Sequence, residues 1–97
     1  MDDFSQSVLK KVEHLYSRIE KKSNLIALYG MLLNKKDKEK YTAIFNMQVI
    51  INHCLQCGNY WRACRYILVA ESLIEDFEKN EQMLKTKVTN YFVMEVI

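Results

Sequence analysis

Apolar residues recur along this chain at helical spacing and nowhere alternate in the way a strand requires. Phe4, Val8, Val12, Leu15 and Ile19 step by four, four, three and four positions, drawing one face of a helix over about residues 4–22. Asp2, Asp3 or Ser5 is placed to cap its start, and Lys21 and Lys22 suit the negative end of its dipole. Ser23 and Asn24 offer a fresh cap. The run Leu25–Leu33 that follows is apolar around its whole circumference, so a short buried second helix is expected there. Gly30 lies inside that run, where it either bends the helix or lets a neighbour approach closely.

Residues 34–40, Asn-Lys-Lys-Asp-Lys-Glu-Lys, read as a solvated loop with Asp37 as the next cap. A third helix then carries Ile44, Met47, Ile51, Cys54 and Leu55 on one face, widened by Tyr41, Phe45 and Val49, and ends at Gly58. Beyond it Tyr60, Ala63, Ile67, Ala70, Ile74 and Phe77 form a fourth stripe, with Trp61, Cys64 and Leu68 beside it. Glu75–Gln82 is polar and holds the next corner, after which Leu84, Val88, Tyr91 and Phe92 share a face. The closing residues 91–97 are too apolar for a solvated end, so they dock on the bundle or meet a partner. The expectation is an all-α antiparallel bundle of four to five helices in a single domain, residues 1–97.

Between the third and fourth helices lies the most informative segment, Cys57-Gly58-Asn59-Tyr60-Trp61-Arg62-Ala63. Gly58 and Asn59 tolerate a left-handed backbone, so one helix ends as the next begins, with Tyr60, Trp61 and Ala63 packed into the angle. Composition narrows the classes of function. There is no proline, and the two glycines leave little to break helices. A net charge of +2 supplies no basic footprint for nucleic acid. No apolar run approaches the roughly 20 residues of a membrane span, and no signal peptide is expected, so membrane insertion is not expected. Three cysteines without a disulfide-framework spacing fit a reducing, cytoplasmic setting.

Candidate chemistry is sparse. His53, Cys54, Cys57 and Cys64 suggest zinc or a redox C-x-x-C pair as the competing class of function. Against this, Cys54 and Cys57 sit at a helix carboxyl end, where the dipole disfavours a thiolate, and adjacent His53 and Cys54 point about 100° apart. Packed thiols explain the set, and no cofactor, metal or catalytic residue is assigned. Glu71, Glu75, Asp76, Glu78 and Glu81 read as a solvated face and corner, and the lysine run as a solvated loop. The residues assigned to partner binding are the aromatics and apolar residues of the joint and the tail: Tyr60, Trp61, Arg62, Tyr66, Tyr91, Phe92, Met94, Val96 and Ile97. The expected partner is another protein, or a second copy in a homo-oligomer.

Two families resemble the chain at this joint. Gly58, Asn59, Tyr60, Ala63 and Ala70, with Ile50 upstream, resemble the turn of a tetratricopeptide helix pair, although Met47, Ile51, Cys54 and Glu75 depart from that motif. Over about residues 8–90 the order of elements resembles the five-helix domain shared by steroid receptor RNA activator protein and the C-terminus of the large outer COPII coat subunit. Leu15, Ile19, Leu25, Leu32, Ile51, Leu55, Tyr60 or Trp61, Ala63 and Ile67 fall on comparable positions, and Met83–Val88 is loosely similar to a further segment. That resemblance implies a non-enzymatic docking domain, in a vesicle coat or as an adaptor or scaffold. The tetratricopeptide resemblance implies a small chaperone instead.

Overall fold

A computed structural model describes residues 2–32 and 35–96, with the side chains of 35–37 and of 95 and 96 outside that description. The chain is an all-α bundle of four helices, α1 (Asp3–Leu32), α2 (Lys35–Gln56), α3 (Tyr60–Lys79) and α4 (Glu81–Val96), and not antiparallel throughout as expected, because α4 continues in the direction of α3. The stripes read from the sequence become its core. Val8, Val12, Leu15, Ile19 and Ile26 of α1 meet Ile44, Ile51 and Cys54 of α2 and Ala63, Ile67, Ala70, Ile74 and Phe77 of α3. Ala63 and Ala70 are fully buried, and their small side chains let the helix axes approach closely.

Two elements differ from the sequence expectation. The first helix does not stop at Ser23–Asn24 but runs to Leu32, absorbing the expected short second helix. Ser23 Oγ donates to the Glu20 carbonyl at 3.0 Å within the helix, so its hydroxyl bonds backward instead of capping a new start. Nor is the wall of that segment buried all round: Leu28, Met31 and Leu32 are exposed. The lysine run is also helical, since α2 begins at Lys35 and Asp37 lies inside its first turn. The corner expected within Glu75–Gln82 falls at Asn80, whose N–H bonds the Phe77 carbonyl at 3.1 Å and whose side-chain amide bonds the Asp76 carbonyl at 2.9 Å. Gly30 lies within unbroken α1, and a Cβ there would meet Thr42 Cγ2 at 3.5 Å, an ordinary contact.

Polar contacts fix the register between helices. Tyr16 of α1 donates its hydroxyl to Asn52 Oδ1 at 2.8 Å, and Tyr41 of α2 donates to Asp76 Oδ2 at 3.1 Å. Along the other seam Lys11 pairs with Glu71 at 3.7 Å, Arg18 with Glu78 and Lys22 with Glu81, and Lys87 lies 5.9 Å from the centre of the Tyr29 ring. The partners advance together, so α3 and α4 run alongside α1 in the same direction with α2 returning against them. Glu71, Glu78 and Glu81 are therefore seam residues, not the freely solvated face expected from the sequence.

This register makes the molecule a rod. At about 1.5 Å per residue, the 30 residues of α1 reach ~45 Å, whereas the molecule is 58 Å long. Trp61 at the start of α3 stacks on Phe4, so those two helices begin level with each other. The excess length then falls at the other end, where α4 runs past the last turn of α1. Tyr91, Phe92, Val93 and Met94 occupy that overhang, and all four are exposed.

Candidate interaction surface

The joint is built by local backbone chemistry. Gly58 adopts φ +72°, the left-handed conformation that an L side chain resists. The Asn59 N–H then reaches the Cys54 carbonyl at 2.8 Å and the Gly58 N–H reaches that of Leu55 at 3.0 Å, closing α2 with paired Schellman bonds. Asn59 starts α3 at once, its Oδ1 accepting from the Arg62 N–H at 3.0 Å. Tyr60 is half-buried and Ala63 fully buried in the angle. Trp61 is not packed into it as the sequence suggested. It points outward, 74% exposed, and lies against Phe4 with ring centres 4.3 Å apart and planes 23° from parallel.

Phe4 of that stacked pair lines one end of a groove of about 280 Å³ between α1 and α3. Val8, Cys64 and Ile67 line it with Phe4, while Leu68 stands on its wall at 67% exposure. The groove's charged residues, Lys11 and Glu71, are engaged with each other across it. Helical geometry explains why the groove exists. At about 100° per residue, Trp61, Cys64 and Leu68 fall on the flank of α3 away from α2, the positions that lie beside its buried stripe.

The residues assigned from sequence separate into four places, with Tyr60 in the angle of the joint. Trp61 borders the groove through its stack on Phe4. Arg62 and Tyr66 lie on the opposite flank of α3, where Tyr66 packs against the core and Arg65 sits 6.0 Å from the centre of its ring. Interaction with the Tyr66 hydroxyl is the main influence raising the Arg62 pKa. Tyr91, Phe92 and Met94 form the far tip, with Tyr91 and Phe92 edge to face at 5.4 Å. Val96 is described only as the last residue of α4, and Ile97 lies outside the described residues. Phe4, Leu68, Lys11 and Glu71 were not among the assigned residues. The signal for Leu68 was present, since it sits seven positions from Trp61 beside the buried stripe. Phe4 was concealed by its membership of the core-facing series.

The cysteine and histidine set is likewise divided. Cys54 is buried in the core, Cys64 faces the groove, and Cys57 is exposed with its Sγ 3.8 Å from His53 Nε2. Among the described residues no three His, Cys, Asp or Glu side chains are grouped to hold a metal ion, and no helix is long and apolar enough to cross a membrane. No protein-family model matches this chain, and neither a curated protein nor a solved structure matches it.

Proposed function

We propose that this chain is a non-enzymatic protein-docking module, an adaptor or scaffold element working in the cytoplasm. The observation that carries the reading is the Phe4–Trp61 groove. A rigid interhelical channel walled by Phe4, Leu68 and Val8 has a large aromatic at its mouth and its two charges already paired. Such a surface suits an apolar helix or an aromatic anchor, because burial there removes hydrocarbon from water without stranding a charge. Trp61 has the size and amphipathic character of an interface anchor. The likeness of the Gly58–Ala63 joint to those of tetratricopeptide and coat-domain helix pairs points the same way, and three unpaired thiols agree with a reducing compartment.

The test compares partners retained from extracts of the source cells by the native chain and by Leu68→Asp. Leu68 is exposed, so its replacement leaves the core intact, which circular dichroism would verify. A protein held by the native chain and lost, at least tenfold, with Leu68→Asp supports the docking role. Identical retention by both chains would contradict it.

A further inference from the structure

Resting on that reading of the groove, we infer that its occupant is the apolar tip of α4 from a second copy of this chain, joining molecules head to tail. Tyr91, Phe92, Val93 and Met94 are consecutive, so at about 100° per residue they cover every side of the helix. Their exposures are 46%, 51%, 50% and 75%, so every side of this turn keeps about half or more of its surface open. A helical turn that is apolar all round is stable only when enclosed. Two tips lying side by side leave both grooves empty, whereas a tip seated in a groove covers apolar surface of both kinds.

The concave apolar surface described above lies at the other end of the rod. The groove reaches no further along α1 than Lys11, and the tip extends past Leu32, a separation of over ~30 Å at 1.5 Å per residue. A chain cannot fold its own tip back across that distance without dissolving α4, so the contact must be between copies. The groove's 280 Å³ is of the size that one or two aromatic side chains fill. Because Lys11 and Glu71 pair with each other, an entering Tyr91 or Phe92 meets no unpaired charge.

The groove admits one or two side chains of the tip, so the contact is smaller than the ~1,000 Å² of a stable specific interface. The association is therefore weak and concentration-dependent. Because the two surfaces differ, the contact is heterologous and each added copy leaves a free groove and a free tip.

Light scattering across concentrations on the full chain tests this. The native mass rises with concentration past that of a dimer. Phe92→Asp, which spoils the tip, and Leu68→Asp, which spoils the groove, are each monomeric alone. Mixed in equal amounts they form a one-to-one heterodimer and nothing larger, since one retains a groove and the other a tip. Both positions are exposed, circular dichroism verifies the helices, and Met94→Asp serves as a second tip variant. A native chain that stays monomeric at millimolar concentration would overturn the inference while leaving the test of other partners standing. So would a monomeric mixture, a Leu68→Asp chain that still dimerises through tips, or a Phe92→Asp chain that still dimerises through grooves.

Discussion

The two described glycines make opposite demands on their positions. Gly58 holds φ +72° with no atom within 4 Å of where a Cβ would stand, so what a side chain meets there is backbone strain, not a clash. Gly58→Ala is expected to cost about 1 kcal/mol. Gly30 sits in unbroken helix with Thr42 Cγ2 at contact distance, so Gly30→Ala gains helix propensity without overpacking. It is expected to raise stability by about 0.4–1 kcal/mol, and urea unfolding of both variants measures the difference in sign. Two carboxylates carry a pH dependence. Asp76 is held below its ordinary 3.8 chiefly by its hydrogen bond from Lys40, with Tyr41 also donating, and Glu81 below 4.5 chiefly by its bond from Lys22. A lowered folded pKa contributes stability above the unfolded value and loses it as pH falls through the folded one. Stability is therefore expected to be level from neutrality to about pH 5 and to fall below it, with a shallower fall in Glu81→Gln.

At the scale of elements, α4 is held by its first half alone. Leu84 is fully buried and Glu81 is tied to Lys22, whereas the exposed tip adds no packing. Leu84→Ala is expected to cost about 2–4 kcal/mol, and truncation after Asn90 less than about 1 kcal/mol, in the same unfolding assay. How much of this was legible from sequence follows from what each element depends on. The stripe from Ala63 to Phe77, the joint at Gly58 and the corner near Asn80 were all readable, because each is set by residues within a turn or two. The break expected at Ser23–Asn24 failed for the opposite reason. A cap residue ends a helix only if the surrounding packing does, and here Ile19 and Ile26 on either side stay in one continuous core face. The groove was half legible. Trp61 and Leu68 lay visibly beside the buried stripe, but that Phe4 lies opposite them depends on the register of α1 against α3, which no local pattern encodes. The tip's apolar character was plain in the sequence. Its exposure was not, since that comes from the difference in length between α1 and the combined run of α3 and α4.

The whole molecule is a rod with unlike ends. Its radius of gyration, 15.7 Å, exceeds the 12–13 Å or so expected of a compact chain of this length. Elongation puts the groove at one end and the apolar tip at the other, with ion pairs along the seam between them. Such a shape separates two apolar surfaces too widely for either to cover the other within one chain, and it leaves both open. The central claim is that the groove beside Trp61 stands open in the free chain and closes on a docked segment. Trp61 is the chain's one tryptophan and stacks on Phe4 at the groove's end, so its fluorescence reports on that end of the groove. The decisive measurement is acrylamide quenching of Trp61 as the native chain is concentrated, with Leu68→Asp alongside. The expected result is free quenching and solvent-like emission in dilute solution, then protection and a blue shift on association, with neither change in Leu68→Asp. A Trp61 already protected in the dilute monomer, or one still freely quenched after the chains associate, would contradict the account.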